Sequence, residues 1–168
     1  MRIGVLSDSH LSRMPEDFLE ALKIAFQGVD LVFHCGDWVS KAVLEAMTAQ
    51  GWEVMGVAGN MDPPEIRCAV PVKRELVLEG RRIGLVHGWG APGGIEKRVM
   101  GVFEGVDMVV FGHTHKPFWA KVGRVWLFNP GSAAGWGNPK GPTVGILDLG
   151  EEIKASVVCL GGAAQRAR

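Results

Sequence analysis

Short, continuous apolar runs recur along the chain, and each ends in a small residue followed by polar ones. Runs this short and this rich in valine, isoleucine and leucine are typical of strands that are buried on both faces. Strands of that kind need helices or a second sheet to cover them. The five runs, with their polar ends, are IGVLSDSH (3–10), LVFHCGD (31–37), VMGVAGNMD (54–62), IGLVHG (83–88) and MVVFGHTH (108–115).

Helical patterns separate several of these runs. Residues 15–28 begin with a proline and carry two acidic residues in the first turn, which is typical of a helix start. Residues 40–51 have Ser40 as an N-cap and Gly51 as a stop, and residues 94–105 predict a third, weaker helix. The alternation of strand and helix favours an α/β sheet with right-handed crossovers.

The remaining segments predict strands without intervening helices. Residues 73–88 predict a hairpin that turns at Glu79-Gly80, and closely spaced strands follow at 125–132, 143–150 and 155–160. The sequence therefore predicts an α/β (α+β) fold with a mixed sheet, or two packed sheets, and helices outside. We expect one domain over residues 1–162 and a frayed tail over 163–168.

Composition narrows the function classes. Lys and Arg together number 18, as do Asp and Glu, and they are interspersed, so a partner such as duplex nucleic acid is not expected. The first apolar run is too short for a signal-peptide core or a membrane span, so no membrane partner is expected. Three widely spaced cysteines favour a reducing, cytoplasmic location. Six tryptophans leave a homo-oligomer interface open.

The polar residues after the apolar runs form one candidate site. Ligands of open α/β sheets bind at the carboxyl ends of the strands, so five strand ends would bring these side chains into one cleft. Imidazole, carboxylate and carboxamide donors suit a catalytic divalent metal, and seven of them suit two ions that share a carboxylate. Taken singly, each motif also fits a solvent-facing loop, a turn or a buried histidine. The set is Asp8, His10, Asp37, Asn60, His87, His113 and His115.

The ordered motifs DSH, GD, GNMD, HG and GHTH resemble those of the calcineurin-like metallophosphoesterase superfamily. The ending GHTHKP…NPGS resembles its small YfcE/MJ0936-type phosphodiesterase branch. The resemblance implies a two-sheet mixed β-sandwich flanked by helices, the metallophosphoesterase fold. It also implies a divalent-metal-dependent phosphodiesterase with a dinuclear site, in which a metal-bridging hydroxide attacks the phosphorus of a small phosphodiester substrate.

The resemblance also implies which residues hold each ion. One ion would be bound by Asp8, His10, Asp37 and His115. The other would be bound by Asp37, Asn60, His87 and His113, so that Asp37 bridges the two. An extended GHTH segment would direct both histidines to the same side. Mn²⁺ is the expected metal, and Fe, Co, Ni and Zn have similar ligand preferences.

We expect several residues around the ligand set to support the ligands. Asp62 is expected to orient a neighbouring ligand, and His34 to be structural or to support the ligands from behind. Asn129, in NPGS, could support the site or touch substrate. Trp38 and Trp89 come shortly after ligand positions and could form walls of the cleft, although a core or surface place is as common for tryptophan.

One position departs from the pattern of many superfamily phosphatases. Where those enzymes have a histidine after the Gly-Asn pair, this chain has Met61, which cannot transfer a proton. The metal-held residues Asp37, Asn60 and His87 would then act without a general acid. We therefore expect hydrolysis of diesters with good leaving groups and poor action on alkyl monoesters. The alternatives are an interaction scaffold of the same fold, as in a retromer subunit, and a phosphomonoesterase.

Overall fold

The computed structural model describes residues 1–161, which form two five-stranded sheets and four helices. In chain order the elements are β1 (Arg2–Leu6), α1 (Glu16–Ala25), β2 (Leu31–His34), α2 (Lys41–Thr48), β3 (Val54–Gly56), α3 (Pro64–Ala69), β4 (Lys73–Leu78), β5 (Arg81–Val86), α4 (Ile95–Met100), β6 (Met108–Val110), β7 (Phe118–Val122), β8 (Val125–Asn129), β9 (Thr143–Leu149) and β10 (Ile153–Cys159).

The first sheet has the strand order β10-β9-β1-β2-β3. β1, β2 and β3 run parallel, with Val5 opposite Phe33 and Phe33 opposite Met55, whereas β9 and β10 are antiparallel additions. Because parallel strands end at the same edge of a sheet, the segments that follow β1, β2 and β3 lie side by side.

The second sheet has the order β4-β5-β6-β8-β7. Its three central strands, β5, β6 and β8, are parallel, and the edge strands β4 and β7 are antiparallel to their neighbours. The segments that follow β5, β6 and β8 therefore also share one edge, as in the first sheet.

Apolar side chains between the two sheets form the central core, and both outer sheet faces are covered by helices. Ile3, Phe33, Leu85 and Phe128 are among the fully buried members of the central cluster. α1 and α2 pack on the outer face of the first sheet, and α4 packs on that of the second sheet. The sandwich flanked by helices, one of the alternatives that the sequence left open and the fold implied by the resemblance, is confirmed.

The predicted helices form but are shorter than their patterns. Pro15 caps α1 instead of starting it, and Ser40 caps α2 by accepting a hydrogen bond from the amide of Ala42. α4 ends at Met100, because the residues after it turn toward β6. α3 and β7 were not predicted, because they are short elements without a clear apolar period.

The predicted hairpin is present, with left-handed backbone at Glu79 (φ 49°) and Gly80 (φ 72°) between β4 and β5. The predicted tail, 163–168, lies outside the described residues. Within residues 1–161, no helix has the length and apolar character that a membrane crossing requires.

Candidate metal centre

The two sheets bring five of the predicted ligands into one cluster. Two groups of donor atoms, each with its members within 4.8 Å of one another, are formed by Asp8, His10 and His115 and by Asp8, Asp37 and His87. In the first group, His115 Nε2 lies 3.1 Å from Asp8 Oδ1 and 3.4 Å from His10 Nε2.

Asp37 lies between the two groups. Its Oδ2 is 3.3 Å from His87 Nε2 and 3.7 Å from His10 Nε2. Asp8 Oδ1 is similarly placed, 3.9 Å from His87 Nε2 and 4.0 Å from His10 Nε2. Two carboxylates, rather than Asp37 alone, thus face histidines from both groups.

Asn60 and His113 lie next to His87, at the more exposed end of the cluster. His113 Nδ1 is 3.1 Å from Asn60 Oδ1, and the His113 ring packs edge-on against the His87 ring with centroids 5.3 Å apart. All seven predicted side chains therefore lie in one continuous cluster at the sheet edges.

The backbone at the cluster adopts a conformation that most residues avoid. Five of the seven non-glycine residues with positive φ in the described chain belong to the predicted ligand set. Left-handed backbone costs a non-glycine residue about 1–3 kcal/mol and is concentrated at functional sites. The five are Asp8 (φ 53°), His10 (φ 49°), Asp37 (φ 57°), His113 (φ 71°) and His115 (φ 59°).

The expectation of an extended GHTH segment is wrong. His113 and His115 both have left-handed backbone, and the segment after β6 is a loop. Its two rings nevertheless reach different neighbours, because His113 faces Asn60 and His115 faces Asp8. The sequence pattern could not reveal this turn, since histidine carries no strong preference for it.

Three histidines share one hydrogen-bonding arrangement. His87 Nδ1 lies 2.7 Å from the carbonyl oxygen of Cys35, and His115 Nδ1 lies 2.8 Å from that of Trp136. His113 Nε2 lies 2.8 Å from the carbonyl oxygen of Gly90. A carbonyl oxygen only accepts, so each of these ring nitrogens must be the protonated donor.

The second nitrogen of each ring then faces an oxygen that is also an acceptor. These oxygens belong to Asp37 for His87, to Asp8 for His115 and to Asn60 for His113. A carboxylate only accepts, so at His87 and His115 the two facing acceptors repel unless a cation lies between them, either a metal ion or a second proton on the ring. This outward anchoring of the imidazole is the usual arrangement of metal-binding histidines.

Buried polar atoms without hydrogen-bond partners also indicate that a cation belongs in this cluster. Within residues 1–161, Asp8 Oδ1 and His87 Nε2 are buried and make no well-directed hydrogen bond. Buried polar atoms are costly when unpaired, and an unpaired carboxylate oxygen especially so. With its imidazole, carboxylate and carboxamide donors, the cluster fits divalent metal ions.

Electrostatics in the cluster follow from burial and close pairing. Burial favours the neutral form of Asp37, but His87, the Met61 amide and His10 together outweigh burial and lower the pKa of Asp37. Burial opposes protonation of His87 too, yet Asp37 and Asp8 raise its pKa. Asp8 raises the pKa of His115, whereas burial lowers that of His10. The carboxylates thus attract positive charge to this cluster.

Hydrogen bonds from the surrounding chain hold both carboxylates in place. Asp8 Oδ2 accepts from the Ser7 hydroxyl at 2.6 Å and from the His113 amide at 3.1 Å, which leaves Oδ1 directed at the histidines. Asp37 Oδ1 accepts from the Met61 amide at 2.8 Å, which leaves Oδ2 for His87 and His10. Each carboxylate therefore presents one oxygen to the cluster.

Asp62 lies behind the cluster and holds the backbone of two of its loops. Its carboxylate accepts hydrogen bonds from the amides of Asp37 (3.1 Å), Gly59 (2.7 Å) and Val39 (2.8 Å). The side chain is buried and makes no close approach to the histidines. It joins the loop after β2 to the loop after β3, and so fixes Asp37 relative to Asn60.

Two glycines are required because the carboxylates approach the backbone closely. A Cβ atom on Gly59 would overlap the Asp37 carboxylate and amide, and one on Gly112 would overlap the Ser7 hydroxyl and approach the Asp8 carboxylate. Any other residue at either position would displace a proposed ligand.

The other singled-out residues lie behind the cluster or on its rim. His34 is fully buried, stacks on Trp38 and pairs its Nε2 with the Ser9 hydroxyl at 2.9 Å. Trp38 is also fully buried and donates to the carbonyl of Val57, so the expectation that it forms a wall of the cleft is wrong. Asn129 is buried and binds the Gly112 carbonyl, which places it behind the loop rather than against a substrate.

Two half-exposed tryptophans flank the cluster. Trp89 is 46% exposed beside His87, in agreement with its expected place on the cleft wall. Trp136, 45% exposed, stacks on the His10 ring at 4.7 Å, and sequence reasoning missed it. Its GWGNP segment resembles an ordinary turn, so no local signal distinguished it.

Comparison with known proteins places the chain among related sequences. Residues 1–152 match the family model described as the calcineurin-like phosphoesterase superfamily domain. A probable metallophosphoesterase from Methanothermobacter thermautotrophicus is 34% identical over 166 residues, which is 96% of this chain and 94% of the relative.

Solved structures agree with the fold. An archaeal phosphodiesterase aligns with a TM-score of 0.73 and 25% identity over 94% of this chain and all of that one. Vps29 from Entamoeba histolytica, solved with Zn²⁺, has a TM-score of 0.70 and 23% identity over 96% of this chain and 100% of its own, and shows the shared fold.

The chain belongs to the calcineurin-like phosphoesterase superfamily. It is by class a metal-dependent phosphoester hydrolase, and the metallophosphoesterase fold implied by its motifs is confirmed.

Proposed function

We propose that this protein is a phosphodiesterase that works with two divalent metal ions bound at the sheet edges. The observation that carries this proposal is the arrangement of His87, His113 and His115. One nitrogen of each ring donates a hydrogen bond to a backbone carbonyl, and the other nitrogen faces a side-chain oxygen. Three such pairs in one cluster form an electron-rich site for cations.

The ligand sets in this proposal are those implied by the motifs. One ion would be held by Asp8, His10, Asp37 and His115, and the other by Asp37, Asn60, His87 and His113. The position of Asp37 Oδ2 between His87 and His10 supports a bridging role. We propose Mn²⁺ as the metal, and Fe, Co, Ni and Zn share its ligand preferences.

When bound, the two ions would supply the hydroxide nucleophile. They would also supply positive charge that offsets the negative charge of the phosphodiester. The chain's own residues position that chemistry. Asp62 fixes Asp37 relative to Asn60, and the Asn60 amide group can donate to a phosphate oxygen. Met61, 59% exposed at the rim, offers no proton to a leaving group. The substrate class is therefore small diesters whose leaving group departs without protonation.

The test is hydrolysis of bis(4-nitrophenyl) phosphate by metal-stripped protein with Mn²⁺ restored. Asp37→Asn is expected to lower kcat by at least about 10²–10³-fold, the cost of losing one preorganised electrostatic contact. Asp148→Asn is the matched control, because Asp148 is a half-exposed aspartate on β9 whose ion-pair partner within residues 1–161 is Arg2.

Three outcomes separate the alternatives. Mn²⁺-dependent turnover that Asp37→Asn abolishes and Asp148→Asn preserves supports the phosphodiesterase. Tight Mn²⁺ binding without turnover would favour the interaction scaffold instead. Faster hydrolysis of 4-nitrophenyl phosphate than of the diester would make the protein a phosphomonoesterase.

A further inference from the structure

A groove opens directly beside Asn60 and His87. Its cavity volume is about 310 Å³, and its other walls include Val72, Val86, Trp89 and Val102. Because Asn60 and His87 belong to both the groove and the proposed metal site, a phosphoryl group held at that site has one ester substituent at the mouth of the groove.

The groove is apolar and lacks negative charge. Val72 is 65% exposed and Trp89 is 46% exposed, so two large apolar side chains face solvent at its mouth. The charged side chains among its described lining residues are both cationic, those of Arg67 and Lys73. This combination suits a flat apolar group attached to an anion and disfavours a cationic one.

One wall of the groove is held rigid by Arg67. Its guanidinium donates to the carbonyls of Asp62 (2.8 Å), Gly59 (3.2 Å) and Asn60 (3.2 Å). Three hydrogen bonds from one side chain fix the loop that carries Asn60. The Arg67 side chain therefore positions this wall rather than serving as a free cation for substrate.

The loop that carries Trp89 is held in the same way by Arg98. Its guanidinium donates to the carbonyls of Trp89 (3.0 Å), Gly93 (3.0 Å) and Ala91. His113 Nε2 binds the carbonyl of Gly90 in the same loop. The backbone that carries Trp89 is thus held before any ligand arrives, which lowers the entropic cost of ordering this loop on binding.

We propose that this groove is the subsite for a flat aromatic ester substituent of the substrate, with Trp89 as its stacking surface and Val72 as a second apolar contact. This inference rests on the proposed function, because the phosphoryl group is what brings the substituent to the groove. The volume lies at the lower end of the roughly 300–1,000 Å³ range of small-molecule pockets, so it suits one ring-sized group. Half-exposed tryptophan faces commonly bind such rings by offset stacking.

The test measures binding by calorimetry, with manganese-loaded protein and two phosphonates that are not hydrolysed. Phenylphosphonate and methylphosphonate share the anionic group and differ in the aromatic ring. Wild-type protein is expected to bind phenylphosphonate about tenfold more tightly. Trp89→Ala and Val72→Asp are both expected to bring that ratio close to one.

Val77→Asp is the matched control for Val72→Asp. Val77 is 70% exposed on β4, and it is not among the residues that line the groove. A ratio that survives Val77→Asp but not Val72→Asp or Trp89→Ala supports the subsite. A ratio that survives all three variants would overturn it, because the ring would then bind elsewhere.

The outcome also separates this inference from the proposed function. If both phosphonates bind equally well to wild-type protein, the subsite is refuted while the phosphodiesterase proposal stands. If neither binds, the subsite is again refuted, and the hydrolysis assay with Asp37→Asn decides the fate of the proposed function independently.

Discussion

The two sheets contribute different chemistry to the candidate site. The loops after β1, β2 and β3 of the first sheet supply both carboxylates, Asp8 and Asp37, together with His10 and Asn60. The loops after β5 and β6 of the second sheet supply only imidazoles, those of His87, His113 and His115.

The two sides are also held in different ways. Backbone amides hold the carboxylates, and backbone carbonyls hold the imidazoles. Asp8, Asp37 and His87 are 0–2% exposed, whereas His113 and His115 are only partly buried. The first sheet therefore supplies the fixed negative charge, and the second supplies imidazoles that range from the buried His87 to the more exposed His113 and His115.

The largest expected effect comes from removing charge on the carboxylate side. Asp8→Asn is expected to weaken Mn²⁺ binding by more than about 100-fold, because it removes a buried charge that faces both donor groups. Loss of a residue that only hydrogen-bonds to a ligand costs up to roughly 100-fold. His115→Gln, on the imidazole side, is expected to weaken binding less. Calorimetric Mn²⁺ titration measures both, with Asp148→Asn as control. Equal losses in the two variants would contradict the division between the sheets.

Removing support behind the carboxylates is expected to have an intermediate effect. Asp62→Asn retains the shape of the side chain but weakens its hydrogen bonds to the amides of Asp37 and Gly59. Mn²⁺ affinity should fall by about 10–100-fold, as for other outer-shell partners. The same titration measures it. Unchanged affinity would show that the loops after β2 and β3 hold their positions without Asp62.

Adding an imidazole to the carboxylate side is expected to change selectivity. Met61→His places a proton donor at the rim, and the ratio of monoester to diester hydrolysis should rise about tenfold, less than the 10²–10⁴-fold of a fully positioned acid. Rates with 4-nitrophenyl phosphate and bis(4-nitrophenyl) phosphate give that ratio. Met61→Gln is the control, and an equal rise in that variant would exclude proton transfer as the cause.

The smallest expected effect is a pH dependence of the free energy of unfolding, caused by His34, which is buried behind the carboxylates. Burial holds the pKa of His34 well below its usual 6.5, and its Nδ1 has no hydrogen-bond partner within residues 1–161. Protonation then favours the unfolded chain, so the stability from neutral His34 is present above about pH 6.5 and is lost progressively as pH falls below it. Thermal melting at pH 7.5 and 5.5 should show a smaller acid-induced loss in His34→Gln than in wild type.

Two other histidines also change the stability of the protein with pH, so the effect of His34 must be measured as a difference between wild type and His34→Gln. The raised pKa values of His87 and His115 act in the opposite direction, because their protonation favours the folded chain below pH 6.5 and that stability is lost as pH rises. Only the difference between wild type and His34→Gln isolates the buried ring. An identical acid loss in both proteins would contradict this assignment.

The sequence predicted the buried strands and which side chains would follow them, because both depend on local patterns, whereas the choice of a two-sheet sandwich came from the resemblance of its motifs. Each apolar run forms a buried strand, and parallel strands bring their following residues to one edge. What it missed depends on contacts between distant segments. Trp136 stacks on His10 from a loop with no periodic signal, and Trp38 is buried because β3 and His34 enclose it. The left-handed turns at His113 and His115 arise from the tertiary structure, which overrides what the residue types prefer.

The strand order has a consequence for how the chain folds. β9 pairs with β1, so the N-terminal strand acquires its second neighbour only from residues near the other end of the chain. His10 and His115, whose rings meet in the cluster, are 105 positions apart. Folding dominated by such distant contacts is slow, because the chain must lose the entropy of closing a long loop before the contacts can stabilise it. During synthesis the first sheet therefore stays incomplete until the whole second sheet has been made, and a chain cut off before β9 should not retain a stable metal centre.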